Sequence, residues 1–151
     1  MDVRELRPAD ARDCDAIVAG LPEWFGLPQG IRECAELVRT TPGFVAEVDG
    51  VVRGFLTRAR RFRRTEEITW MAVDAGHRGT GLGTALLGAL ADDARRGGVR
   101  LLVVKTLSDR EDPGPEYAAT RAFYLARGFE PVAELDIWGP GNPCQMLVKP
   151  I

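Results

Sequence analysis

Histidine is almost missing from this chain of 151 residues, where His77 is the single imidazole. The three cysteines, Cys14, Cys34 and Cys144, are far apart and form no C-x-x-C pair, so a zinc site has almost no ligands to use and no metal is expected. Their odd number also argues against a disulfide framework and for free thiols. No run of about 20 apolar residues could span a bilayer. Met1 to Arg7 contains no apolar leader core, so the expectation is a cytoplasmic protein with no membrane partner. Neither sign of charge dominates, since 20 Lys and Arg face 22 Asp and Glu for a formal net charge of −2. Global attraction to nucleic acid is thereby excluded, and a local patch would be needed for it. What remains is the composition of an ordinary globule, 45% hydrophobic and 28% charged. Its length suits one domain over residues 1–151, able to bury roughly 70% of the surface of the unfolded chain.

Against this plain background stands His77-Arg78-Gly79-Thr80-Gly81-Leu82-Gly83-Thr84-Ala85-Leu86-Leu87. Before it, Glu67-Ile68-Thr69-Trp70-Met71-Ala72-Val73 is rich in β-branched and aromatic residues and reads as a strand; after it, Leu82, Ala85, Leu86, Ala89 and Leu90 recur at helical spacing. The glycines therefore stand at a helix N-terminus. Unpaired N–H groups and the positive end of the helix dipole attract an anion there, and missing Cβ atoms let a phosphate approach the main chain. The spacing excludes two nucleotide-binding loops. G-x-G-x-x-G fails because Thr84 or Leu86 falls in the last glycine position, and a P-loop fails because no Gly-Lys-Ser/Thr follows.

The remaining pattern, Arg78-x-x-Gly81-x-Gly83, resembles the pyrophosphate-binding signature of the GNAT superfamily of N-acetyltransferases. Two further stretches carry the resemblance. Glu67-Ile68 and the apolar strand after it lie in the register of the base-bearing fourth strand of the histone-acetylating branch, and Phe123-Tyr124-Leu125-Ala126-Arg127-Gly128-Phe129 is similar to the end of the family's last helix. The resemblance implies acetyl transfer from acetyl-CoA to an amine, either a small molecule or a protein amino group. It implies direct transfer in a ternary complex and leaves a homodimer open. A noncatalytic acyl-CoA-binding or interaction domain is the alternative.

The rest of the chain reads as one α/β domain. Asp2 to Arg7 alternates as a strand, and Asp10 is placed to cap a helix running to about Ala19. Leu21 to Pro28 is a turn before a second helix that ends near Arg39. Gly43 to Val48 and Val51 to Arg60 are strands joined at Asp49-Gly50, a hairpin signal. Arg61 to Thr65 is expected to connect to the strand at Glu67. The glycine-led helix should stop at Gly97-Gly98, followed by a buried strand from Arg100 to Lys105. A helix from about Glu116 to Ala126 and strands over Glu130 to Trp138 and Cys144 to Val148 complete the chain. This order fits the GNAT arrangement implied by the resemblance: a mixed, largely antiparallel sheet flanked by helices, with splayed fourth and fifth strands.

Acyl transfer from a thioester sets three tasks: deprotonating an amine, polarising the carbonyl and protonating the departing thiolate. The resemblance assigns Glu67 as general base, against a reading as a solvated strand-edge glutamate; Glu66 points the other way, so one of the two is expected at the surface. It assigns Tyr124 as the acid beside the cofactor sulfur, against a packing residue of an amphipathic helix. Main-chain groups of Met71, Ala72 and Val73 would pair with the pantetheine arm. Arg78, Gly79, Thr80, Gly81, Leu82, Gly83 and Thr84 would surround the pyrophosphate. Tyr117 replaces an asparagine of the common family pattern and is read as a pocket wall or helix cap, while Arg121 is placed to reach cofactor or substrate.

Several residues carry two readings. Arg58, Arg60, Arg61, Arg63 and Arg64 could touch RNA or the cofactor's ribose phosphate, or form a solvated edge that guards a strand. Asp109, Glu111, Asp112 and Glu116 hint at a cationic acceptor, or form a solvated loop. Trp24-Phe25 is expected over the acceptor site, Trp70 and Trp138 in the core or a pocket wall, and His77 in an exposed turn.

Overall fold

The structure is a computed structural model that describes residues 1–151. In chain order its elements are β1 (Asp2–Glu5), α1 (Ala11–Ala19), α2 (Pro28–Thr40), β2 (Gly43–Val48), β3 (Val51–Phe62), β4 (Thr65–Val73), α3 (Leu82–Arg96), β5 (Leu101–Leu107), α4 (Pro115–Leu125), β6 (Glu130–Leu135) and β7 (Cys144–Pro150). The strands form one sheet in the order β1-β2-β3-β4-β5-β7-β6, antiparallel everywhere except between β4 and β5. Helices cover both faces. On one, Leu82, Leu86 and Leu90 of α3 pack with Tyr124 and Phe129 against Phe44, Leu56, Ile68, Leu102 and Leu147. On the other, Cys14, Ile17 and Val18 of α1 and Cys34 and Val38 of α2 meet Val45, Val52, Phe55 and Ala72. Each fully buried leucine contributes about 2 kcal/mol by leaving water, which is why the spaced leucines of α3 fix its orientation.

The irregularity that matters most lies in β4. Thr57 pairs with Trp70 and Arg58 with Ile68, so Thr69 is an extra residue bulged out of the ladder, its hydroxyl 2.7 Å from that of Thr57. A bulge reverses which face later side chains take. Ile68 and Met71 thus both face α3, while Trp70 and Ala72 face α1 and α2. Parallel pairing with β5 ends at the same place, with Ile68 opposite Val104, yet β5 stays paired to β7 as far as Leu107. β4 and β5 therefore part company beyond the bulge, as the sequence reading expected of the fourth and fifth strands.

Three local expectations need correction. Arg61 to Thr65 is not a connector: β3 continues to Phe62 and β4 begins at Thr65, because Arg60 stands opposite Glu66 and opposite charges across the ladder hold it closed. The sixth strand ends at Leu135, since its partner β7 begins at Cys144 and leaves Ile137 and Trp138 without a ladder. Asp10 does stand before α1, but its carboxylate makes no cap bond to that helix; both oxygens take Arg4 at 2.8 Å, and Oδ2 also accepts from the Arg7 N–H. The Asp49-Gly50 hairpin forms as expected, with φ of 51° and 76°.

Candidate active site

The gap between the parted strands opens into a cleft of about 1250 Å³. Its walls are the free edge of β4, the start of α3, one face of α4 and the connection between α1 and α2. Met71, Ala72 and Val73 lie on that free edge, with no β5 partner opposite them. Main-chain groups on the β5 side of this segment are therefore open to an extended ligand, which can add to the sheet as a strand does.

At one end of the cleft the chain passes through Gly79 and Gly81, with φ of 74° and 90°. Neither glycine is crowded, so their need is conformational: a side chain would be held in a left-handed backbone. Gly83 is required for another reason, because a Cβ there would stand 2.9 Å from the Phe123 ring and 3.2 Å from the Met71 methyl. No side chain caps α3, so the first N–H groups of this 15-residue helix point into the cleft unpaired. That end is suited to a phosphate or pyrophosphate. Arg78, Gly79, Gly81, Leu82, Gly83 and Thr84 all line it. Thr80 does not, since its hydroxyl turns back to donate to the His77 carbonyl.

Tyr124 projects from α4 into the middle of the cleft floor. It is 5% exposed, packed edge-on between Phe123 and Phe129, and its hydroxyl donates to Met71 Sδ at 3.7 Å. Burial holds its phenol well above the ordinary tyrosine range, so it is neutral and a donor at any physiological pH. Phe129 is core, whereas Phe123 forms part of the cleft wall with the Arg127 guanidinium stacked 3.8 Å from its ring centre.

Glu67 also lines the cleft, on the face of the sheet that carries α1 and α2. The expectation that one of Glu66 and Glu67 is a surface residue is wrong: they are 6% and 5% exposed. Arginines of the neighbouring strand make that burial tolerable. Glu66 takes Arg58 at 3.3 Å and Arg60 at 3.4 Å, while Glu67 takes Arg61 at 3.1 Å and Lys105 at 2.9 Å. Arg58 further reaches Asp93 of α3 at 2.6 Å. Three arginines of the basic run are thus committed to carboxylates within the fold. Lys105, which flanks Glu67 in the cleft opposite Arg61, has no signal in the sequence, because its convergence with Glu67 depends on strand register.

The connection between α1 and α2 closes the cleft from outside. Trp24 Nε1 donates to Thr120 Oγ1 at 3.2 Å and to the Glu116 carbonyl at 3.3 Å, and the Tyr117 hydroxyl donates to the Trp24 carbonyl at 2.9 Å. Arg78 stacks on the other side of Trp24, 4.1 Å from the ring centre. Phe25 packs on Trp70, with ring centres 5.6 Å apart. Tyr117 is therefore a wall residue that holds this strap. Trp70 and Trp138 both line the cleft, Trp138 at its rim with 42% exposure.

Other expected participants are placed elsewhere. Arg121 donates to the Leu107 carbonyl at 2.8 Å and ties α4 to the end of β5, outside the cleft wall. Asp109, Glu111, Asp112 and Glu116 do not line the cleft. His77, by contrast, does line the cleft, half-buried rather than exposed, its Nδ1 2.7 Å from Asp74. Cys144 is buried, and desolvation raises its thiol. No group of three or more His, Cys, Asp or Glu side chains is placed to hold a metal.

Comparison with known proteins bears on the fold and the family. No curated protein sequence matches the chain. A protein of Desulfovibrio desulfuricans assigned to the GNAT family of acetyltransferases superposes with a TM-score of 0.82 at 25% identity over 99% of both chains. The ribosomal-protein-alanine N-acetyltransferase of Brucella melitensis shares the fold with a TM-score of 0.75 at 22% identity over 100% of both chains. So does YncA of Salmonella typhimurium, solved with acetyl-CoA as its cofactor, at 0.73 and 24% identity over 99% of this chain and 93% of that one. The model of the acetyltransferase (GNAT) domain matches residues 40–131, more than half of the sequence, and the chain belongs to that family.

Proposed function

We propose that the protein is an N-acetyltransferase that moves an acetyl group directly from acetyl-CoA to an amine within a ternary complex. The observation that carries this reading is the convergence, in one cleft, of the free edge of β4, the uncapped start of α3 and the Tyr124 hydroxyl. The pyrophosphate rests on the N–H groups of α3, with Arg78 as an added charge, and the pantetheine arm pairs with Met71, Ala72 and Val73. The thioester carbonyl takes a hydrogen bond from main-chain N–H on the same edge. As the amine nitrogen bonds to the carbonyl carbon and the C–S bond breaks, the Tyr124 Oη–H donates to the sulfur that takes up negative charge. Glu67 receives the amine's proton through water. Its oxygens are held by Arg61 and Lys105, so a cationic acceptor competes with them for that carboxylate.

Similarity to acetyltransferases, one of them with acetyl-CoA bound, supports the choice of cosubstrate. The test is a calorimetric titration with acetyl-CoA, followed by thiol release over a panel of small and peptide amines. Saturable binding that is lost in a folded Gly81→Glu variant, together with turnover on at least one amine, is expected. Turnover unchanged in both Tyr124→Phe and Glu67→Gln would remove those two roles. Binding without turnover on any amine would leave a noncatalytic acyl-CoA-binding domain.

A further inference from the structure

Arg61 and Lys105 meet Glu67 inside the cleft, on the face of the sheet that carries α1 and α2. Glu67 Oε2 accepts from both Nε and Nη2 of Arg61, each at 3.1 Å, and Oε1 lies 2.9 Å from Lys105 Nζ. Two cations against one carboxylate leave a positive charge over. Neither cation has another partner, so both keep N–H groups free. Because Glu67 is buried and Lys105 half-buried, water screens this excess poorly. The other acids of the cleft do not cancel it. Glu23 and Glu33 are exposed, where solvent screens them, and Glu33 already accepts from Gln29 Nε2 at 3.1 Å.

The mouth of the cleft has the opposite character. Leu27 from the connection between α1 and α2, and Ile137 and Trp138 from the connection between β6 and β7, line it while remaining exposed; Trp70 adds a half-buried aromatic wall. Apolar side chains left in water around a cleft are surface to be covered when it fills. From the charge and the apolar mouth together, we infer that the acceptor is a small amino carboxylate with an apolar or aromatic body. Its carboxylate is received by Arg61 and Lys105, its body lies against Trp70 and Trp138, and its amine faces the thioester. A purely cationic amine would have to displace one of the two cations from Glu67, whereas an acceptor with its own carboxylate supplies the missing charge. The acetyl carbon exchanges its bond to sulfur for one to nitrogen, the amine gives up a proton through Glu67 and the thiolate receives one from Tyr124. An N-acetyl amino carboxylate and coenzyme A are left. The inference rests on the transferase reading proposed above.

Thiol release from acetyl-CoA by the full chain tests it, with leucine, phenylalanine and their β-homologues as acceptors, each beside its carboxamide, and a peptide with a free N-terminus as a further acceptor. At least one carboxylate should exceed its carboxamide roughly tenfold or more in kcat/KM, the worth of one charge-assisted contact. Lys105→Met and Arg61→Met should each bring that ratio down to about threefold or less. Both members of a pair depend on Glu67 alike, so any change in its basicity cancels in the ratio and only recognition of the carboxylate is read. Turnover equally fast on, or confined to, amines without a carboxylate would overturn the acceptor class while leaving the transferase intact, as would a ratio unchanged in both variants. Binding of acetyl-CoA with no turnover on any amine would remove both.

Discussion

Tyr124 shows how a side chain can be nearly free for chemistry while sitting in the core. Its ring is fixed by Phe123 and Phe129, but its hydroxyl has only a methionine sulfur, a weak acceptor, as partner. Tyr124→Phe should therefore cost less than about 1 kcal/mol of stability in chemical denaturation. If the hydroxyl serves the departing thiolate, the same change should lower kcat about 100-fold with acetyl-CoA affinity nearly unchanged. A variant with wild-type kcat would return Tyr124 to a packing role. Asp10 is the opposite kind of residue, spending both oxygens on Arg4, which also binds Glu47. Removing it leaves Arg4 with Glu47 alone and takes the acceptor from the Arg7 N–H, so Asp10→Ala should destabilise the fold by about 1–2 kcal/mol, read by urea titration.

At the level of elements, two glycines two positions apart would be hard to tell from one another without the structure: Gly81 is needed for its backbone and Gly83 for its neighbours. Gly81→Ala keeps an open surround but must hold φ of 90°, at about 1–2 kcal/mol. Gly83→Ala instead drives a methyl into the Phe123 ring, costing about 1–3 kcal/mol and pushing α4 away from α3. Urea unfolding gives both costs, and a shifted Phe123 environment by NMR should appear only in the second. The glycine loop, the Asp49-Gly50 hairpin and the stop at Gly97-Gly98 were legible because turn chemistry is local. The bulge at Thr69 was not, since no glycine or proline marks it and only the pairing of Thr57 and Arg58 reveals it. The same holds for Glu66 and Glu67: their burial depends on arginines brought alongside by strand register, which single-strand alternation does not encode. Trp24 was expected over the acceptor side, but its bridge between Arg78 and α4 joins residues remote in sequence.

For the molecule as a whole, stability should fall at both ends of the pH range, through different groups. On the acid side, Arg4 holds the Asp10 carboxyl below its ordinary value of 3.8, and Arg58 does the same for Asp93. Unfolding then takes up protons, so these pairs contribute fully above that value and are lost as pH falls below it. On the alkaline side, burial pushes the Cys14 and Cys34 thiols from 9.0 up to about 12. Unfolded thiols release their protons near 9.0 while folded ones keep them, so unfolding releases protons across that interval and rising pH favours it. Tyr124, also raised by burial, extends the same trend from pH 10 upward. Urea titrations under reducing conditions should show unfolding free energy declining steadily above pH 9. A Cys14→Ala, Cys34→Ala double variant should be less stable at pH 7, having lost buried contacts, yet flatter in its alkaline limb. An unaltered slope in that variant would mean that the thiols between α1 and α2 are not what ties the fold to alkaline pH, leaving Tyr124 to account for it.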